Sequence, residues 1–211
     1  MLQAPQNSLI IKVKSKYISN FSELVRISAL QNNTSIHLED LVNIVGEVVS
    51  LPRVISQDRM HKGFSLDGIK IGDTVLFAFN VIYDFVLKDK DAYEAPLYKN
   101  MIKYHGDEFW LADITRIFGV IKEDRISMVN GYVMAAPYQE DAIILNGTAK
   151  KSKKTKSSEV YHYGGIKETQ SPIAIKPGDF IHYNTLKVQK YQINNKPFII
   201  LQQDKVLGKS V

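Results

Sequence analysis

The feature that most constrains this chain is a nine-residue pattern that occurs twice. Ile69-Lys70-Ile71-Gly72-Asp73-Thr74-Val75-Leu76-Phe77 and Ile175-Lys176-Pro177-Gly178-Asp179-Phe180-Ile181-His182-Tyr183 both read apolar-Lys-x-Gly-Asp-x-apolar-x-aromatic. Glycine tolerates positive φ, and aspartate can bond nearby backbone amides, so each copy reads as a tight turn launching a strand. The flanks match in the same order. Upstream stand Val45-Gly46-Glu47-Val48-Val49 and Ser158-Glu159-Val160-Tyr161-His162, each carrying Glu followed by Val. Downstream, Glu108 to Ile114 parallels Pro197 to Val206. Three ordered matches at comparable separations mark two copies of one β module, which places domains at 8–124 and 125–211.

The rest of the chain agrees with an all-β reading. Apolar residues come in short bursts fenced by Gly, Pro, Asn and Asp. Strands are expected over Leu9–Val13, Val42–Leu51, Thr74–Val86, Phe109–Ile121, Met128–Ala136, Glu159–Tyr163, Phe180–Tyr183, Leu186–Ile193 and Phe198–Gln202, with Asn194-Asn195 turning the last hairpin. One short helix fits the 3.6 period, over Asn20–Gln31. An all-β fold with long loops follows from this pattern.

Composition removes several function classes. The chain of 211 residues has no cysteine, which excludes structural disulfides, thiolate zinc sites and cysteine catalysis. No apolar run approaches the ~20 residues of a membrane helix. Met1 to Lys16 lacks a basic start followed by an apolar run, so no export signal and a cytoplasmic home are expected. The net charge of +5 is unevenly placed. Residues 1–125 hold 15 Lys and Arg against 16 Asp and Glu, whereas residues 126–211 hold 12 against 6. Lys150, Lys151, Lys153, Lys154 and Lys156 account for most of that excess. The tract has no arginine and no interleaved aromatic for base stacking, so it reads as a solvated loop and argues against nucleic acid as a partner.

No catalytic or metal-binding constellation is visible. His37, His61, His105, His162 and His182 show no metal-ligand spacing. Asp89 to Glu94 and Asp107-Glu108 read as turn residues. Nucleophile-elbow and phosphate-loop motifs do not occur. No enzyme activity, cofactor or metal is expected, and Trp110 reads as core or subunit interface.

The order of elements in the second half resembles the GroES-type co-chaperonin family. It runs from an entry strand, Gly131-Tyr132-Val133-Met134, through a long loop containing Ile143-Ile144-Leu145. Ser157-Ser158-Glu159-Val160 and the Gly178-Asp179 turn and strand follow. The triplet and its polar frame, Asn146-Gly147-Thr148-Ala149-Lys150, are similar to the family's Ile-Val-Leu signature. The first half resembles the family more faintly: Asn32 to Leu38 stands where a triplet belongs, and Lys88 to Lys103 is an insert. In the second half, position 158 is Ser where the family usually has Gly. In fold, the resemblance implies two tandem small β-barrels with long loops.

The resemblance implies a tandem co-chaperonin that caps an ATP-loaded chaperonin ring, assembles into a ring itself, and grips its partner through a mobile loop at 138–157. Ile143, Ile144 and Leu145 are then the anchors, Gly147 gives the loop its turn, and Asp141 and Asn146 keep it soluble. Taken alone, the triplet also fits a buried strand of the second module. A structural or assembly protein, for example of a bacteriophage particle with the host cytoplasm as its home, is the alternative function.

Overall fold

The computed structural model describes residues 2–16, 42–82, 100–123, 125–137, 143–145, 148–150, 155–164, 173–184, 188–193 and 196–210. The expected helix at Asn20–Gln31 and most of the insert at 88–103 lie outside them. The chain divides into two compact units, Met1–Arg125 and Ile126–Val211.

The first unit contains β1 (Ser8–Lys12), β2 (Val45–Ser50), β3 (Thr74–Phe77), β4 (Met101–Tyr104), β5 (Asp107–Asp113) and β6 (Ile117–Lys122). The strand β7 (Arg125–Met128) leads onward. The second unit contains β8 (Tyr132–Ala135), β9 (Ile143–Leu145), β10 (Thr148–Lys150), β11 (Thr155–Tyr163), β12 (Phe180–Asn184), β13 (Gln189–Ile193), β14 (Lys196–Gln202) and β15 (Val206–Ser210). All paired strands are antiparallel, and no α-helix occurs among the described residues. The all-β expectation holds.

The two units repeat one topology. Hydrogen-bonded strands follow the order β4-β5-β1-β2-β3-β6 in the first and β13-β14-β8-β11-β12-β15 in the second. Taken in chain order, each strand of one has its counterpart in the other, and among the described residues only the second unit shows a further pair, β9–β10. Both closing strands bulge at the same place: the β3–β6 register shifts at Leu76/Phe77 and the β12–β15 register at His182/Tyr183. These are the last two positions of the repeated nine-residue pattern.

Side chains follow the same register. The second core gathers Val133 and Ala135 from β8, Val160 from β11, Ile175 from the turn, Ile181 and Tyr183 from β12, Ile199 and Leu201 from β14, and Val206 from β15. At the equivalent positions the first unit buries Leu9, Ile11, Val48, Ile69, Val75, Phe77, Trp110, Ala112 and Ile117. Each large side chain buried this way contributes ~1.5–3 kcal/mol, so the period-2 alternation pins the register of the strands that carry these residues. Trp110 is a core residue of the first unit, packed where Ile199 packs in the second.

Several expected strands are shorter or divided. Of Thr74–Val86, the described residues up to 82 form β3 and then a 3-10 turn at Phe79–Val81, and 83–86 lie outside them. Phe109–Ile121 is two strands around a 3-10 turn at Ile114–Arg116, where the Asp113 carboxylate accepts from the Thr115 amide. Met128–Ala136 is broken at Asn130-Gly131, both at positive φ (55° and 73°). The strands β4, β7, β10 and β15 were not expected, and β9 was expected only as an alternative to a mobile loop. Asp107 and Glu108 open β5 and pair with Lys12 and Lys16, at 3.0 and 3.1 Å.

Candidate partner-binding site

The connection from β8 to β11 carries the β9–β10 pair, whereas most of the equivalent connection of the first unit, 17–41, lies outside the described residues. Ile143, Ile144 and Leu145 form β9 and pair with Lys150, Ala149 and Thr148 of β10, in a two-stranded ribbon separate from the six-stranded sheet. The triplet is therefore neither a bare tether nor a strand of its own module's sheet. β-branched isoleucines favour the extended backbone, and Asn-Gly is a strong sequence signal for a two-residue hairpin loop. The pairing of Leu145 with Thr148 leaves two residues between the strands. Those residues, Asn146 and Gly147, lie outside the described residues, as does Asp141. So do Lys151, Lys153 and Lys154, while Lys150 ends β10 and Lys156 belongs to β11.

A ribbon three residues wide stabilises itself little, because an isolated two-stranded pair is marginal in water. In the chain its stem is formed by β8 and β11. β11 is nine residues long and divides its partners: Thr155 to Glu159 pair with β12, and Val160 to Tyr163 with β8. Ala136 donates its amide to the Glu159 carbonyl at 2.9 Å, which fixes the point where the chain departs from the sheet.

Beneath this stem lies the repeated turn. Gly178 and Gly72 both adopt φ of 88°. The Gly178 amide donates to Val160 O at 2.9 Å and the Gly72 amide to Val48 O at 2.8 Å, so each turn clips onto the Glu-Val strand. Asp179 Oδ2 accepts from the Lys176 amide at 3.1 Å and from Lys209 Nζ at 2.9 Å. Asp73 Oδ2 accepts from the Lys70 amide at 2.8 Å and pairs with Lys122 Nζ at 3.0 Å. In both turns the lysine is the largest cause holding the aspartate below its ordinary pKa, against the opposing effect of burial. Lys122 and Lys209 are not register equivalents, since Val120 faces Val75 where Lys209 faces Ile181. The aspartate is repeated while its ammonium comes from a different step of the last strand.

The turn rests on a second difference. Ser158 is buried and its hydroxyl bonds the Tyr183 hydroxyl at 2.7 Å. The first unit has Gly46 and Phe77 at these positions, and a Cβ at Gly46 would stand 3.1 Å from Lys12 O and 3.2 Å from Phe77 Cε1. Glycine lets Phe77 pack close, whereas serine accompanies a tyrosine whose hydroxyl it satisfies. Gln203 is another such exchange. It is buried, accepts from the Tyr163 hydroxyl and donates to Ile173 O, where the first unit has Ile114.

The remaining sequence candidates are dispersed. His105 sits at positive φ with its ring edge-on to Tyr104. His162 lies on β11, where burial lowers its pKa, and His182 bonds Ser210 Oγ at 3.3 Å. His37 and Asp89 to Glu94 lie outside the described residues, as do Asn32 to Leu38. Among the described residues no group of three His, Cys, Asp or Glu is arranged to hold a metal ion, and no helix is long and apolar enough to cross a membrane. No metal-ligand spacing singled His61 out from the other histidines, yet it is the centre of an ionic cluster. The Asp58-x-x-His61 spacing was its one local signal, because its other partners lie far along the chain.

The family model described as Chaperonin 10 Kd subunit matches residues 128–210. The match takes in β8 to β15, the ribbon included. No curated protein matches the chain.

Proposed function

We propose that this chain is a co-chaperonin whose second unit docks on an ATP-loaded chaperonin ring through the β9–β10 ribbon. The observation that carries the reading is an aliphatic strand, Ile143–Leu145, held outside the six-stranded sheet within the region similar to the Chaperonin 10 Kd subunit. Ile143, Ile144 and Leu145 serve as anchors, with Asn146 and Gly147 as the turn that presents them. The protein does no chemistry itself. It encloses a folding chamber in the cytoplasm and shifts its partner's nucleotide cycle by binding one conformation better than the other.

The first unit, with the same strand order and the same buried positions, is a second copy of the module, and the protein assembles into a ring. A triplet entering a groove would contribute about 1.5–3 kcal/mol per side chain, against an ordering cost of the same order. Each contact is then weak, and several copies in a ring make the sum useful while leaving release easy. The test is co-elution of the full chain with chaperonin in the presence of ATP. Binding that requires ATP and is lost in Ile144→Ser supports the reading. A chain that ignores chaperonin at all nucleotide states overturns it.

A further inference from the structure

In the connection from β2 to β3, residues 51–73, two side chains are buried: Ile69, which belongs to the core, and His61. His61 is 9% exposed, although its neighbours Arg59, Met60 and Lys62 are all open to solvent. Its position begins with Asp58, whose Oδ1 accepts from the Met60 amide at 2.8 Å and the His61 amide at 3.1 Å. That local turn swings the imidazole inward. There Nε2 meets Asp113 Oδ2 at 3.0 Å, at the end of β5. Nδ1 meets Asp58 Oδ1 and Oδ2 at 2.9 and 3.0 Å and Asn7 Nδ2 at 3.0 Å. Asn7 lies in the turn before β1, and its Oδ1 accepts from the Ser56 amide at 2.7 Å. One ring thus joins the connection to two separate elements of the barrel.

The two partners of Nδ1 make incompatible demands. A carboxylate needs Nδ1 to donate, whereas the amide Nδ2 of Asn7, itself a donor, needs Nδ1 to accept. Nε2 donates to Asp113 in either case. The imidazolium therefore bonds Asp58 and Asp113 together, and the neutral ring bonds Asn7 and Asp113 and turns a lone pair toward Asp58. We propose that His61 is a proton-operated latch that fastens residues 52–68 to the first barrel when protonated and loosens them on losing that proton.

The charged groups facing the ring are Asp58 from the connection and Asp113 from β5, and Asn7 from the preceding turn is neutral. The direction of the effect follows from them. The hydrogen bond that His61 donates to Asp113 is the largest cause raising the His61 pKa, with burial opposing and Asp58 adding to the rise. A raised value means that the latch is fully closed below the ordinary histidine pKa of about 6.5 and weakens as pH rises through the folded value. The carboxylates set the other limit. Asp58 and Asp113 are lowered, so their contribution is lost only as pH falls below the ordinary aspartate value toward the folded one. The latch belongs to the first unit and stands whether or not the second unit binds chaperonin.

The test uses the full chain, with the His61 ring nitrogens followed by NMR through a pH titration and amide hydrogen exchange measured alongside. The Nδ1 resonance should switch from donor to acceptor above pH 6.5. Base-catalysed exchange makes the log rate rise with pH at a slope of one. For the Met60 and His61 amides the opening constant should add up to about tenfold per pH unit between the ordinary and the raised value, steepening that slope toward about two. Val48 and Gly72 should keep the ordinary slope. Asp113→Asn should bring the His61 midpoint down and remove the extra slope. Should that variant fail to fold, Asp58→Asn offers the same reading, because it removes the donor-demanding partner of Nδ1. A His61 midpoint at or below 6.5 in the parent chain, or Met60 and His61 amides with the slope of Val48, overturns the proposal.

Discussion

Replacing Tyr183 by Phe removes one hydroxyl from a fully buried position, together with its 2.7 Å bond to Ser158. The bond alone is a net ~0.5–1.5 kcal/mol, and leaving the Ser158 hydroxyl buried without it brings the expected loss to about 1–3 kcal/mol. Ser158→Ala removes the same bond from the other side. Tyr183 makes further interactions, so this second variant should cost less, about 0.5–1.5 kcal/mol. In the double variant the bond is lost once and no hydroxyl is stranded, so its loss should fall short of the sum of the singles by about 0.5–1.5 kcal/mol. The first unit already holds the apolar form of this arrangement in Gly46 and Phe77. Urea unfolding followed by far-UV circular dichroism measures the cycle, while fluorescence of Trp110, the sole tryptophan, follows the first unit separately. Each kcal/mol corresponds to roughly 4–8 °C in Tm for a unit of this size. Singles that add within ~0.3–0.5 kcal/mol would refute the coupling and with it the view that Ser158 is present to satisfy Tyr183.

Gly164→Ala should destabilise the second unit by more than the ~1–3 kcal/mol of ordinary overpacking, because its Cβ would stand 2.4 Å from the Met128 carbonyl carbon and 2.5 Å from the Val129 nitrogen, both backbone. Gly208→Ala, with nothing within 4 Å of the new Cβ, should change stability by less than about 1 kcal/mol in the same denaturation assay. The lowered pKa values of Asp73 and Asp179 contribute stability that is complete above the ordinary value of 3.8 and is lost as pH falls through the lower folded values. Unfolding midpoints recorded from pH 5 to pH 2 should therefore drop less steeply in the Asp73→Asn, Asp179→Asn double variant than in the parent.

The duplicated turn was legible because its chemistry is local. Gly72-Asp73 and Gly178-Asp179 need a positive φ and a side-chain bond three residues back, and both requirements leave residues in the sequence at fixed spacing. Strand breaks were not, because Ile114 stays buried through its 3-10 turn and keeps the apolar run of β5 and β6 unbroken. Edge strands escaped for the opposite reason: β4 buries no residue fully, and β15 buries only Val206. The sequence offered the triplet as a mobile loop or a buried strand and not as half of a separate hairpin, since its pairing partner, Thr148–Lys150, carries no apolar alternation of its own. His61 gave one local hint in Asp58. Its partners Asn7 and Asp113 lie 54 and 52 residues away, a distance that no spacing motif spans.

The central claim is that Ile143–Leu145 is the part of this protein that another machine grips. Titrating the full chain against ATP-loaded chaperonin tests it, with Ile144→Ser compared against Leu207→Ser, a change at an equally aliphatic side chain that is 64% exposed elsewhere in the second unit. Removing the ~1.5–3 kcal/mol of one isoleucine should weaken each contact roughly 10- to 150-fold and the assembled ring by more, while Leu207→Ser binds as the parent does. Equal affinities for Ile144→Ser and the parent, or an equal loss in both variants, would contradict it.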